Sequence, residues 1–212
     1  MSRPANVSYQ GFETLISKEA FGRLEKYVQL LEKWRRITNL ISDQSFIDVW
    51  DRHIVDAIHL QHQRSADNIW LDIGSGAGLP GVVLASILAD RPDARVHCVE
   101  IDRRKCSFLR EVASKIALPL KVHNTLAEHM SALIADEVEV VTARAFSSLD
   151  RILRLAEPFM RSGAIAILPR GRSAQEEVAR LDRALYSWKT VPNPSPGDGV
   201  FVQIELRDSR AS

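Results

Sequence analysis

Residues 70–81 read Trp-Leu-Asp-Ile-Gly-Ser-Gly-Ala-Gly-Leu-Pro-Gly, with four glycines inside eight residues between a short apolar run and a helical one. That pattern describes a strand, a tight loop and a helix start. Its backbone N–H groups can approach a ligand closely because no side chains intervene. Residues 76–81 also satisfy GxGxxG, and Glu100 ends the next strand candidate, where a carboxylate can hold ribose hydroxyls. Taken alone, those two features point to a nicotinamide dinucleotide. Asp72 argues otherwise. Two residues ahead of Gly74, its carboxylate is expected to point near the loop's ligand and would meet a pyrophosphate at close range. The ammonium and sulfonium of S-adenosylmethionine would be favoured by the same charge. The bland alternative, a glycine-rich turn with no ligand, sits poorly with four glycines flanked by Asp72 and Glu100.

These residues need elements to hold them. From residue 69 onward strand and helix patterns alternate. Strand candidates are 69–73, 95–100, 120–123, 138–143 and 163–168. Helix candidates are 79–89, 103–116 and 149–160, with a weaker one near 126–134 and another over 174–185. Alternation of this kind implies an α/β, doubly wound, mostly parallel sheet. Two further strands, 186–191 and 200–206, are joined by a Pro-rich link too short for a crossover helix, so they should be antiparallel. Five parallel strands and a closing antiparallel hairpin make a Rossmann-like seven-stranded sheet. Ahead of it, 17–37 reads as a helix with Ser17 as N-cap and Phe21, Leu24, Val28 and Leu31 at helical spacing. A second helix is expected over 46–62, after a turn-rich link at 38–43. The expected organisation is a helical segment, 1–68, on a ligand-binding domain, 69–212.

Composition excludes several classes. The chain has 212 residues, 45% hydrophobic and 26% charged, with a mean hydropathy of −0.12, as in ordinary globular proteins. No apolar run approaches the roughly 18–20 residues of a membrane span. The N-terminus lacks the apolar stretch of a secretory signal, so no membrane partner and a cytoplasmic location are expected. The two cysteines, Cys98 and Cys106, fit no zinc spacing, and no metal site is expected. Net charge is +1, yet residues 144–172 hold six arginines against Asp150 and Glu157. Such a stretch is either a surface for phosphate and guanine or a solvated helix face.

Asp72-x-Gly74-x-Gly76-x-Gly78, with Glu100 ending the next strand, is similar to class I S-adenosylmethionine-dependent methyltransferases. A narrower resemblance covers most of the chain. It rests on Asn39-Leu40, Arg52-His53-Ile54-x-Asp56, the loop's Gly-Leu-Pro-Gly ending, Lys105-x-x-Phe108-Leu109-Arg110, Ala127-Glu128, Arg144-Ala145-Phe146 and Pro169-Arg170-Gly171. In that order they resemble the ribosomal RNA small subunit methyltransferase G family, once called glucose-inhibited division protein B. The resemblance implies methylation of N7 of one guanine in 16S rRNA, free or in the small ribosomal subunit. It implies S-adenosylmethionine as cofactor and S-adenosylhomocysteine as product; a monomer is expected, although no residue pattern fixes the oligomeric state. Residue by residue, Gly74 and Leu79 would line the cofactor's methionine and ribose region, with Gly76 in the same loop and Glu100 at the ribose. Ala127 and Glu128 would lie beside the adenine. Arg144 would stand at the mouth of the fourth strand beside cofactor and incoming base, binding the cofactor and serving as a candidate for positioning the substrate. Two positions depart from the family: Arg170 stands where Lys is frequent, and Leu126 where Arg is frequent.

The acceptor chemistry is consistent with this. Amino-nitrogen methyltransferases commonly carry Asp/Asn-Pro-Pro-aromatic after the fourth strand, where this chain has Thr142-Ala143-Arg144-Ala145-Phe146. Pyrimidine carbon-5 methylation needs a cysteine nucleophile, and Cys98 and Cys106 lie on the second strand and its following helix. Guanine N7 has an in-plane lone pair and no proton to lose, so placement and electrostatics suffice. N7 faces a deep, narrow groove in A-form RNA, so the target should be looped or unstacked. Phe146 would offer a stacking surface or belong to the core. Arg144 would contact guanine O6 or a phosphate, or only pair with Asp72 or Glu128. His53 and Asp56 would close the cofactor pocket or form a polar interface. Lys33, Arg35 and Arg36 would extend an RNA surface or end a solvated helix. The rival readings are a methyltransferase for a small molecule, an NAD-binding oxidoreductase and a non-enzymatic division factor.

Overall fold

In the computed structural model, which describes residues 7–144, 147–195 and 197–207, the chain first forms α1 (Lys18–Trp34), α2 (Asp43–Ile47) and α3 (Val55–His62). Ser17 starts α1 by accepting the Ala20 N–H on its side chain, as expected of an N-cap. The single helix expected over 46–62 is broken. Ser42 caps α2 by accepting the Ser45 N–H, and Val49–Ile54 then winds as a π-helix before α3. The Ser42 cap is a local signal, while helical periodicity does not distinguish a π-helix from an α-helix.

The rest alternates: β1 (Ile69–Ile73), α4 (Gly81–Leu88), β2 (Arg95–Val99), α5 (Arg103–Ile116), β3 (Leu120–His123), α6 (Ser131–Ile134), β4 (Val140–Thr142), α7 (Leu149–Arg161), β5 (Ile165–Arg170), α8 (Ala174–Ala179), β6 (Tyr186–Pro192) and β7 (Val200–Leu206). β5 begins after Gly163, not at it. With φ 108°, Gly163 ends α7 in a conformation that side-chain-bearing residues rarely adopt. The weak helix expected near 126–134 is a 3-10 turn, Ala127–His129, followed by α6.

The seven strands form one sheet in the order β3-β2-β1-β4-β5-β7-β6. The first five are mutually parallel. β7 runs antiparallel between β5 and β6, so the expected fold class holds. Period-two alternation along β1 divides the core. Trp70 joins Val96, Cys98 and Val140 beneath α1 to α5, while Leu71 and Ile73 join Val141, Ala166 and Leu168 beneath α7 and α8. α1 lies on α4 and α5, and Trp34 Nε1 donates to Glu111 on α5 at 3.1 Å. The strand order reverses at β1, flanked by β2 on one side and β4 on the other. In open α/β sheets that reversal opens a crevice at the carboxyl ends of the strands.

Candidate functional site

Beyond Ile73 the glycine loop is braced from several directions. The N–H groups of Gly74 and Ser75 donate to Val99 O at 2.9 and 3.0 Å, and Gly78 N–H donates to Ser75 O at 2.7 Å. Gly76 N–H donates to Glu100 Oε2 at 2.9 Å, and the Tyr27 hydroxyl on α1 donates to Ala77 O at 2.9 Å. A Cβ at Gly78 would lie 2.3 Å from Val82 Cγ2, and its φ of 89° excludes most side chains. Four loop N–H groups are therefore committed to protein oxygens, rather than held out for a phosphate.

Asp72 departs from expectation. It is 1% exposed, and its Oδ2 accepts the Gly81 N–H at 3.0 Å. Strand alternation sends it, with Trp70, toward α4 instead of toward the loop's ligand. It caps the start of α4 and does not line the cavity described below. Burial pushes its carboxyl up to about 7. A Cβ at Gly81 would stand 2.4 Å from Cys98 Sγ and 2.7 Å from Asp72 Oδ2. A dinucleotide pyrophosphate would need this same helix terminus, and Asp72 already holds it.

A cavity of about 610 Å³ opens at the strand-order reversal, within the range of small-molecule sites. Gly74, Gly76 and Leu79 line it from the loop, Glu100 from the end of β2, Ala127 and Glu128 from the turn after β3, and Arg144 from beyond β4. The structure thus brings all the expected site residues around one space. Glu100 is doubly held, its Oε2 by Gly76 and its Oε1 by the Asp102 N–H at 2.9 Å. Asn124 Nδ2 donates to Glu100 O and Ile101 O at 3.1 and 2.9 Å, tying the end of β3 to the end of β2. Ile101 and Leu126 also line the cavity while being 65% and 49% exposed. Leu126 contributes an apolar surface to it.

The helical segment supplies residues that the sequence reading did not assign to the cavity, among them Leu40, Ile41 and Ser45. His53, left open between closing the pocket and bridging helix to sheet, lines it from the π-helix. Burial, reinforced by the Arg144 charge, lowers the His53 pKa to about 4, so the imidazole is neutral at neutral pH. Its Nδ1 is buried and has no hydrogen-bond partner among the described residues. Arg144 pairs with neither Asp72 nor Glu128. Its Nη2 faces Asp56 Oδ2 at 3.4 Å, and burial lowers its pKa while Asp56 opposes the shift. The cue for His53 and Asp56 was their three-residue spacing on one helical stretch.

Several arginines of the 144–172 stretch have acidic partners. Arg161 pairs with Glu157 at 2.5 Å, and Arg172 pairs with Asp198 at 2.6 Å. The Arg170 side chain is only 9% exposed and stands 3.5 Å from Glu177, and burial lowers its pKa. Arg151 lines the cavity. At the far end of α1, Arg35 pairs with Asp43 and lies over the Phe46 ring at 4.2 Å, which makes it structural. Phe146 lies outside the described residues. Cys98 and Cys106 are free and buried, and burial raises both thiols. No cluster of metal-ligating side chains occurs among the described residues.

Residues 21–196 match the model of the GidB family, rRNA small subunit methyltransferase G. The chain is 36% identical over 209 residues to the Ribosomal RNA small subunit methyltransferase G of Brucella ovis, covering 97% of each. The protein of that name from Brucella suis biovar 1 matches at the same identity and coverage. Among solved structures, a SAM dependent methyltransferase from Aquifex aeolicus superposes with a TM-score of 0.56 at 17% identity, over 78% of this chain and 99% of that one. A rRNA methylase from Streptococcus thermophilus does so with a TM-score of 0.52 at 12% identity, over 72% and 94%. At those identities the structural likeness is one of fold.

Proposed function

The chain belongs to the rRNA small subunit methyltransferase G family, and on that premise we propose that it methylates N7 of a guanine in the 16S rRNA of the small ribosomal subunit. The methyl donor is S-adenosylmethionine. The observation that carries the reading is the meeting of the glycine loop, Glu100 and Arg144 around one cavity at the strand-order reversal.

The donor set fits the cofactor. A carboxylate has about four acceptor sites, and Gly76 and Asp102 take two of those on Glu100, leaving others for ribose hydroxyls. Ile101, Leu126 and Ala127 present apolar surface of the kind an adenine covers. Gly74, Gly76 and Leu79 would hold the methionine and ribose region, with Glu128 beside the adenine. When bound, the cofactor supplies an electrophilic methyl on a sulfonium. The chain's own task is placement. The Arg144 guanidinium carries donors for guanine O6, which aligns the Hoogsteen edge while leaving the N7 lone pair free. Neutral His53 adds no second positive charge beside Arg144. No base is required, because N7 has no proton to lose.

Several observations support this reading over its rivals. Asp72 capping α4 and the committed loop N–H groups speak against a dinucleotide, and family membership speaks against a small-molecule acceptor. We place the reaction in the cytoplasm with a monomer as the working unit, and we keep 1–68 as a helical segment on a methyltransferase domain, 69–212. The two parts share a core, since α1 and α3 lie on α4. The deciding experiment incubates the protein and methyl-labelled cofactor with small subunits from a strain lacking the gene, then maps the label chemically. Label on one guanine N7 is expected, and label confined to any other atom would sink the reading.

A further inference from the structure

Asp56 joins three parts of the chain that are far apart in sequence. It lies in the first turn of α3. Its Oδ1 accepts from Asn193 Nδ2 at 2.7 Å, across 137 residues, in the connection between β6 and β7. Its Oδ2 stands 3.4 Å from Arg144 Nη2, across 88 residues, just beyond β4. Asn193 is itself held. Its N–H donates to Gly199 O at 2.9 Å, and its Oδ1 accepts the Ser195 N–H at 3.1 Å. With the amide oxygen engaged inside the loop, the amide nitrogen is the group left for Asp56, which fixes the orientation of the carboxylate.

The two distances differ in meaning. At 2.7 Å the Asn193 contact is a full hydrogen bond, while 3.4 Å to Arg144 lies near the outer limit. Arg144 has five N–H donors, and this contact engages only its Nη2. The carboxylate therefore aims the guanidinium and offsets its burial while engaging only one of its nitrogens. Its charge also counters Arg52, which acts on Arg144 in the opposite sense.

We propose that Asp56 is a positioning residue: anchored by Asn193, it orients the Arg144 guanidinium toward the acceptor base. The inference rests on the role given to Arg144 above. It makes the β6–β7 connection part of the machinery of transfer, although none of that connection's described residues lines the cavity.

The test uses the full chain, small subunits from the strain lacking the gene, and S-adenosylhomocysteine as the binding probe. Asp56→Asn is expected to lower kcat by about 10- to 100-fold, the scale of a misplaced catalytic contact, while the dissociation constant for S-adenosylhomocysteine changes by less than about twofold. Asn193→Ala should lower kcat several-fold with the same unchanged binding. Added to Arg144→Gln, Asp56→Asn should cost less than about twofold more, since a residue that acts through Arg144 has nothing left to orient. Asp56→Glu, which keeps the charge, should recover part of the rate. Wild-type kcat in Asp56→Asn, additive losses in the double variant, or equal losses of binding and rate would each overturn the inference. Those outcomes with wild type still labelling guanine N7 leave the proposed function standing. Wild-type label at another atom overturns that function, and the variant ratios then still decide the role of Asp56. No label at all overturns both.

Discussion

At the scale of single residues, the site depends on close approaches that only certain side chains allow. Gly81 is the sharpest case, with Cys98 Sγ and Asp72 Oδ2 at 2.4 and 2.7 Å from where a Cβ would sit. Gly81→Ala should cost about 1–3 kcal/mol, the usual range for overpacking, read as a lower urea midpoint with an unchanged slope. Arg144→Ala should weaken S-adenosylhomocysteine binding and lower the rate on small subunits by about 100-fold or more, as removal of an aligned donor does. Near-wild-type methylation would discard its role. The glycine loop and Glu100 are legible in the sequence as local patterns at strand ends, whereas Ala127-Glu128 is read only through the family resemblance. Asp72 stands two residues from Gly74 in sequence, yet period-two alternation from buried Trp70 turns its carboxylate toward α4 and away from the loop's ligand. The meeting of Asp56, Arg144 and Asn193 has no local signature, since three separate elements must first pack.

At the scale of elements, the helical segment does more than cover the sheet. α1 reaches the glycine loop through Tyr27, whose buried hydroxyl holds Ala77 O at 2.9 Å. Tyr27→Phe removes that bond and keeps the ring's packing near Phe108. It should cost about 0.5–1.5 kcal/mol in urea unfolding. A measurable loss of S-adenosylhomocysteine affinity should accompany it, because the loop loses one brace. Unchanged affinity would show that the loop stands without α1. The π-helix at Val49–Ile54 places His53 at the cavity. Such windings often mark functional sites, and apolar spacing alone cannot distinguish them from a regular helix.

At the scale of the whole molecule, buried titratable groups set opposing pH dependences. His53 and His97 are each lowered by burial from 6.5 to about 4. Between those values the unfolded chain binds the extra protons, so each histidine makes stability rise with pH. Asp72, raised by burial to about 7 from 3.8, binds more protons when folded, so its contribution falls with pH over that interval. The two histidines outnumber the one acid. The urea unfolding free energy should therefore rise from about pH 5 to pH 6.5, and rise more steeply in Asp72→Asn. A flat profile in both proteins would contradict these assignments. The placement of β7 has a consequence in time. The last described strand to leave the ribosome fills an interior position between β5 and β6, so β6 is synthesised before its only strand neighbour exists. At about 5–20 residues per second, the nascent chain waits for 200–206 with β6 unattached and β5 open along one edge. A premature stop at residue 200 would therefore cost the sheet its join rather than its margin.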